Sequence, residues 1–139
     1  MLRVQNELFA QMTRWLERAY PGEGCGLMLG TTDGETRTVA AIVEAANLNT
    51  ERAADRFELD PAAFLEADEI ARAEGIDVIG IFHSHPDCPP QASQFDQERA
   101  WAGYSYLIVS VVEGASATHQ SWVLDGERFI EEPVEVVHG

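Results

Sequence analysis

A short apolar run that ends in two histidines constrains both the fold and the chemistry of this chain. Residues 75–82 are rich in isoleucine and valine and begin at a glycine, a pattern typical of a buried strand. His83 and His85 follow, two positions apart. Side chains alternate between the two faces of a strand, so we expect both imidazoles on the same face. The stretch therefore predicts a buried strand with two potential metal ligands at its end.

Carboxylates and a thiol lie close behind the histidines and widen the set of candidate ligands. Asp87, Cys88 and Asp96 all follow within the same segment. Two histidines with one aspartate suit Zn²⁺, and three protein ligands leave a fourth position for water. Asp87 and Cys88 are alternatives to Asp96 as the third ligand, although the prolines around them stiffen their loop. Ordinary packing or solvent exposure is the alternative interpretation of the histidines themselves.

Ser93 and Asp96 also fit a structural interpretation. Their spacing is that of a capping box, with Ser93 as the N-cap of a helix over 94–102 and an acid at the third helical position. Capping and metal binding are compatible, because an acid in the first turn of a helix is held rigidly. The end of the strand and the start of the helix would then bring three ligands together from two firm elements.

Taken together, these residues resemble a known motif. His83-x-His85-Pro, six further residues and Ser93-x-x-Asp96 are similar to the JAMM motif of the MPN-type zinc metallopeptidases. That motif also needs an upstream glutamate, for which Glu23 is the candidate. The surrounding Pro-Gly-Glu-Gly-Cys-Gly-Leu segment resembles that of the short bacterial and archaeal members, and the similarity continues to the final strands.

The resemblance implies a role for each of these residues. His83, His85 and Asp96 would hold Zn²⁺, which activates water and polarises a carbonyl oxygen. Glu23 would move a proton from the water to the leaving amine. The hydroxyl of Ser93 would help to stabilise the tetrahedral oxyanion. The resemblance also implies the cytidine-deaminase-like MPN/JAMM fold.

The resemblance implies a substrate class as well. Short relatives act on the C-terminal tails of ubiquitin-like β-grasp sulfur carriers, and the insertions with which larger relatives hold ubiquitin are absent between the motif and the next strand. The expected activity is hydrolysis of the amide bond after the C-terminal Gly-Gly of such a carrier. The alternatives are a non-catalytic MPN-type scaffold, which would lack ligands, and a RadC-like or cell-wall-directed JAMM protein, each of which usually carries a further domain.

Secondary-structure patterns predict an α/β protein, a single domain over 1–139 with a mixed sheet and packed helices. Helices are expected over 5–19, capped by Asn6, and over 61–74, capped by Asp60 with Phe64, Leu65 and Ile70 inward. A loop is expected over 47–56. The predicted strands are 25–30, 36–45, 56–59, 75–82, 105–113, 118–124, 128–132 and 134–137, the last at an edge.

Composition narrows the setting in which the protein works. The net charge is −15 over 139 residues, and all nine basic residues are arginine. Such a charge disfavours binding to nucleic acids and anionic membranes. The sequence has neither a membrane-length apolar run nor a signal peptide, which predicts a cytoplasmic protein. Acidity without lysine fits a salt-rich cytoplasm, and codon bias toward arginine is the alternative. Two cysteines make no disulfide framework.

Overall fold

The computed structural model describes residues 1–50, 52–54 and 56–138, and these form a mixed β-sheet covered by helices on both faces. The strands are β1 Leu2–Gln5, β2 Cys25–Asp33, β3 Thr36–Ala45, β4 Asp77–Pro86, β5 Ser105–Val112, β6 Ala115–Asp125, β7 Arg128–Glu132 and β8 Val134–Val137. The helices in this part of the chain are α1 Asn6–Ala19, α2 Pro61–Glu74 and α3 Gln94–Glu98. The order of the strands across the sheet is β7-β6-β5-β4-β2-β3-β1-β8.

Strand β4 occupies the interior of the sheet and carries both histidines within its length. It pairs antiparallel with β2, where Cys25 lies opposite His83, and parallel with β5. The prediction ended this strand at Phe82, which is too early. Pairing with β5 continues as far as Pro86 opposite Val111, so the backbone stays extended through the histidines. Both imidazoles are therefore mounted on a strand that neighbours support on either side.

The two long helices lie on opposite faces of the sheet. Helix α1 buries Met12 and Leu16 in a cluster with Phe82 and other residues of that face. Helix α2 packs on the other face through three small residues, Ala63, Ala67 and Ala71. The prediction that Leu65 points inward is wrong, since its side chain is 66% exposed. The alanines allow α2 to approach the sheet closely and so define its buried stripe.

Most predicted element boundaries are confirmed, and the exceptions have local causes. Asp60 caps α2 by accepting from the amide of Ala62, and Gly75 ends it at a φ of 70°. Helix α1 begins after Gln5 without a side-chain capping bond, so Asn6 is not its cap. The prediction missed β1, a strand of four residues. Helix α3 is shorter than predicted and ends at Glu98, with Arg99 as its C-cap.

The segment between β3 and α2 contains little regular structure. The predicted strand 56–59 is reduced to a single bridge between Asn47 and Leu59. Residues 51 and 55 of the predicted loop 47–56 lie outside the described residues. Strand β8 lies at an edge of the sheet, as predicted. Within the part of the chain that the structure describes, no helix is long and apolar enough to cross a membrane.

Candidate metal centre

The two histidines of β4 meet on the face of the sheet that α2 covers. Their Nε2 atoms lie 3.3 Å apart, and both side chains are buried. The ring of Phe57 stacks on His83 with centroids 4.5 Å apart and an interplanar angle of 29°. The expected common orientation of the imidazoles is therefore present, and each ring offers a nitrogen to the same point.

Asp96 brings a carboxylate to this point from the first turn of α3. Its Oδ2 lies 3.2 Å from Nε2 of His85, and its Oδ1 lies 3.5 Å from Nε2 of His83. The capping box is also present: Ser93 Oγ accepts from the amide of Asp96 at 3.0 Å, and Asp96 Oδ2 accepts from the amide of Ser93 at 3.1 Å. The side chain of Asp96 therefore takes part in the helix cap and faces both histidines, and the capping bonds hold it in place.

Neighbouring groups set the orientation of His85. Its Nδ1 lies 3.0 Å from the carbonyl oxygen of Pro89. A carbonyl can only accept a hydrogen bond, so Nδ1 carries a proton and Nε2 is the nitrogen that faces His83 and Asp96. A hydrogen bond of this kind to the distal nitrogen is the usual support of a histidine that binds metal.

The pKa shifts of His83 and Asp96 favour the states that bind a cation, whereas that of His85 favours an added proton. Burial lowers the pKa of His83, which keeps this ring neutral at neutral pH. Burial acts in the same direction on His85, but its hydrogen bonds to Asp96 and to the Pro89 carbonyl outweigh burial, so the pKa of His85 is raised. For Asp96, burial opposes ionisation, yet hydrogen bonds with both histidines dominate and hold its pKa well below the usual range. Metal binding requires an ionised carboxylate and neutral imidazoles, so a bound ion would displace the proton that the raised pKa favours on His85.

The donor set fits a tetrahedral zinc ion. Ligands about 2.0–2.1 Å from Zn²⁺ in a tetrahedral arrangement lie roughly 3.3 Å from one another. The two Nε2 atoms lie 3.3 Å apart, while Oδ2 of Asp96 lies 3.2 Å from His85 and its other oxygen, Oδ1, lies 3.5 Å from His83. Two nitrogens and one carboxylate oxygen are also donors that zinc prefers. The residues therefore match both the spacing and the chemistry of a three-ligand zinc site.

Glu23 reaches the same centre from the turn before β2. One of its carboxylate oxygens and one nitrogen from each of His83 and His85 all lie within 4.8 Å of one another, and Glu23 is buried. Its neighbour Gly24 is fastened to β4, where the Gly24 amide donates to Ser84 Oγ at 2.8 Å and the Ser84 amide donates to the Gly24 carbonyl at 3.0 Å. The structure thus brings Glu23 to the histidines across a long separation in sequence.

The alternative ligands Asp87 and Cys88 lie at the surface. Asp87 Oδ2 accepts from the hydroxyl of Tyr20 at 2.6 Å, and its Oδ1 accepts from the amide of Glu113 at 2.8 Å. Cys88 is exposed, and its carbonyl accepts from Ser110 at 2.6 Å. Asp87 therefore holds a turn together with both of its oxygens.

Cys25 is a packing residue. It lies fully buried in the cluster beneath α2. Burial, with a further contribution from the charge of Glu23, raises the pKa of its thiol to about 12. The thiol is therefore protonated at neutral pH and is a poor nucleophile.

Sequence patterns did not identify two groups that support the site. Asn47 donates to the backbone carbonyl of Glu23, and Ser84 accepts from the backbone amide of its neighbour Gly24. A single polar residue in a strand or loop gives no signal of such a role. An apolar cleft with a volume of about 470 Å³ opens beside His83 and Asp96. In the sequence, the aromatic residues Phe57 and Phe64 are the main feature that could have indicated this cleft. The cleft is lined by Phe57, Leu59, Pro61, Phe64, Leu65, Ile81, His83, Phe95, Asp96, Arg99, Trp101 and Tyr106.

Comparisons with known proteins find a matching family and named relatives. Residues 5–125 match the family Prok-JAB, described as prokaryotic homologs of the JAB domain. The chain is 39% identical over 117 residues to a desampylase of Haloferax volcanii, covering 83% of this chain and 80% of the relative. It is 30% identical over 108 residues to a probable TtuB-protein conjugate cleaving protease of Thermus thermophilus, covering 78% and 69%.

Solved structures share the fold. A solution structure of a Desulfitobacterium hafniense protein aligns with a TM-score of 0.87 at 28% identity, covering 100% of this chain and 94% of that protein. A JAB1/MPN domain protein of Archaeoglobus fulgidus aligns with a TM-score of 0.59 at 20% identity, covering 99% and 97%. The prediction of an α/β protein with an MPN-type fold is confirmed.

Proposed function

Because the chain belongs to the family of prokaryotic homologs of the JAB domain and is a hydrolase of the JAMM type, we propose that it is a zinc-dependent isopeptidase for ubiquitin-like proteins. The bond cut would be the amide after the C-terminal Gly-Gly of a β-grasp sulfur carrier. One observation carries this proposal: His83, His85 and Asp96 converge at zinc-ligand separations, with Glu23 beside them.

In this proposal, His83, His85 and Asp96 hold the metal. Bound zinc would supply a Lewis acid that activates water and polarises the substrate carbonyl. The protein contributes rigidity: His85 is oriented by Pro89, His83 by the ring of Phe57, and Asp96 by the capping box. Fixed ligands keep the reacting groups in place without reorganisation during the reaction.

Glu23 is assigned the transfer of the proton. A carboxylate next to the metal ligands can take a proton from the attacking water and pass it to the leaving amine. The backbone of Glu23 is held by its amide, which donates to the Ala53 carbonyl, and by its carbonyl, which accepts from Asn47 Nδ2 at 3.0 Å. These bonds hold the carboxylate near the histidines on a firm support.

Ser93 is assigned the stabilisation of the oxyanion. Its oxygen accepts the amide hydrogen of Asp96, so its own hydroxyl hydrogen remains available for donation. Donors that are already oriented toward developing negative charge lower the barrier to acyl transfer. The exposed position of Ser93 leaves room for a substrate carbonyl beside it.

The names of two relatives, a desampylase and a probable TtuB-protein conjugate cleaving protease, support a protein conjugate as the substrate. A Gly-Gly tail suits a centre at a strand because it is thin and can lie extended against backbone groups. The complete set of ligands argues against a non-catalytic scaffold, which would have no need of it.

The test is hydrolysis of a β-grasp carrier extended beyond its Gly-Gly by a cysteine or a short peptide, followed by mass spectrometry. Zinc-loaded protein should release the extension and leave the carrier ending in Gly-Gly. It should cleave Lys-linked ubiquitin chains poorly. Intact carrier together with efficient cleavage of ubiquitin chains would overturn the proposed substrate.

Glu23→Gln is the matched control, because it removes the proton-transfer group and retains the size of the side chain. We expect zinc content and unfolding temperature to stay unchanged while the turnover rate falls by roughly 10²–10⁴-fold. Hydrolysis by Glu23→Gln at the wild-type rate would contradict the role assigned to Glu23. Loss of zinc from this variant would instead make Glu23 a metal ligand.

A further inference from the structure

Two arginines contact the ring of Phe95, one of the residues that line the apolar cleft beside the metal centre. The guanidinium carbon of Arg56 lies 4.3 Å from the centre of the Phe95 ring, and that of Arg99 lies 5.1 Å from it. Phe95 immediately precedes Asp96, so this pair of cations is adjacent to the ligand set. The arrangement stands out in a chain that has nine basic residues and a net charge of −15.

The two arginines have no charged partner among the described residues. Within residues 1–50, 52–54 and 56–138, neither guanidinium forms an ion pair or a hydrogen bond. Arg99 is the one arginine among the residues that line the cleft, and Asp96 is the one carboxylate. Asp96 is already directed at the two histidines. An incoming carboxylate would therefore meet two cations that no described side chain pairs with.

The position of the cleft indicates which part of the substrate it receives. Its walls include His83 and Asp96 but not Glu23. Since Glu23 delivers a proton to the leaving amine in the proposed reaction, the leaving group lies toward Glu23. The cleft then lies on the opposite side, along the segment of the carrier tail that precedes Gly-Gly. Glycines have no side chains to fill 470 Å³ of space, so the residues before them are the ones that can occupy it.

We propose that Arg56 and Arg99 select a tail in which carboxylates accompany the apolar residues before Gly-Gly, and that they reject tails with basic residues at those positions. This inference rests on the proposed function and specifies its substrate. Opposite charges across a partly desolvated rim attract, whereas like charges repel and lose hydration without compensation. The apolar walls contribute burial for neighbouring side chains, and the two cations determine the sign of charge that is accepted.

The experiment measures binding of product-like peptides, which need no hydrolysis. Fluorescein-labelled peptides of sequence Leu-Xaa-Leu-Xaa-Gly-Gly, with Xaa as Glu, Gln or Arg, are titrated with the zinc-loaded wild-type chain and followed by fluorescence polarisation. We expect the Glu peptide to bind roughly 10- to 30-fold more tightly than the Arg peptide at about 0.1 M salt, with the Gln peptide between them. The difference should shrink as salt is raised, because screening weakens these contacts.

Charge reversal identifies the residues responsible. The double variant R56E/R99E should prefer the Arg peptide to the Glu peptide. Arg18→Glu is the control, because each substitution changes the charge by the same amount but Arg18 lies on α1, on the other face of the sheet. This variant should keep the wild-type order of peptide affinities. Arg56→Gln and Arg99→Gln, which are milder changes, should each reduce the preference if the double variant does not fold.

Several outcomes would overturn the inference. The first is equal affinity for the Glu and Arg peptides, and the second is no binding of any peptide. The third is an unchanged order of peptide affinities in the folded R56E/R99E protein or in both Gln variants. Failure of the proposed function is detected separately. A chain that discriminates among the peptides but leaves every carrier extension intact keeps the selectivity of the cleft and loses the assigned reaction.

Discussion

At the scale of single residues, two of the three proposed ligands, His85 and Asp96, are held by hydrogen bonds that leave an atom for the metal. His85 uses Nδ1 to reach Pro89, which leaves Nε2 for the metal. Asp96 keeps its carboxylate near both histidines while it caps α3. Because these supports are formed by the protein itself, the ligand atoms are held together at separations that suit zinc before it binds.

Metal analysis of purified variants tests the ligand set. Wild-type chain should hold about one zinc, and His85→Ala should lower the affinity by at least roughly 100-fold, since one of three ligands is removed. Asp96→Ala should also lose zinc, while Cys88→Ser, an exposed neighbour outside the ligand set, should retain it. Full zinc in Asp96→Ala, lost only when Cys88 is also changed, would move the third ligand to Cys88.

At the scale of elements, one asparagine joins the segments that surround the metal centre. Asn47 Nδ2 donates to the carbonyls of Glu23 and Arg56, at 3.0 and 3.1 Å. Its Oδ1 accepts from the amides of Asn49 and Glu58, at 3.0 and 2.9 Å. The side chain thereby ties the turn before β2 to the segment that contains the ring stacked on His83. All four hydrogen-bonding positions of the amide are used.

Replacement of Asn47 should loosen this junction. We expect Asn47→Ala to lower the free energy of unfolding by about 1–3 kcal/mol, because the backbone groups it satisfied lose their partner. The turnover number should fall by roughly tenfold with a smaller change in KM, since the carboxylate of Glu23 becomes less well held. Urea unfolding and steady-state kinetics on a carrier fusion measure the two effects.

Asn49→Ala is the matched control for this prediction. Asn49 Oδ1 accepts from the amide of Arg52 within the same loop, at 3.0 Å, and makes no hydrogen bond to Glu23. Its replacement should affect stability slightly and turnover hardly at all. Equal effects of the two substitutions would mean that Asn47 only maintains the loop.

At the scale of the whole molecule, charge is the dominant property. The chain has 24 acidic residues against nine arginines. Like charges at this density repel one another across the folded surface and oppose compaction. Dissolved salt screens that repulsion over about 10 Å at 0.1 M. Salt should therefore stabilise the folded chain.

Thermal unfolding across a KCl series tests this expectation. The Tm should rise from low salt into the molar range if the chain is adapted to a salt-rich cytoplasm. Metal content is held constant during the series, and a matched sucrose series controls for effects of a neutral solute. A Tm that stays flat or falls with KCl would leave codon bias as the explanation for the absence of lysine.

The sequence alone was enough to identify local features. The presence of β4 followed from the apolar, β-branched run of residues 75–82, although not its end at Pro86, and the cap of α3 followed from the spacing of Ser93 and Asp96. Both depend on interactions between residues that are close together in the sequence, so the residue pattern alone is enough to predict them. The common face of the two histidines followed from the period of a strand, and their Nε2 atoms are indeed 3.3 Å apart.

The tertiary structure alone decided which distant groups meet. Pairing between β2 and β4 brings Glu23 to the histidines, and packing through alanines leaves Leu65 exposed at the cleft. The roles of Asn47 and Ser84, and the pairing of Arg56 with Arg99 over Phe95, likewise involve segments far apart in the chain. Periodicity contains information about a residue's own element. Contacts between elements depend on sheet order and packing distances, which arise only when the whole chain folds.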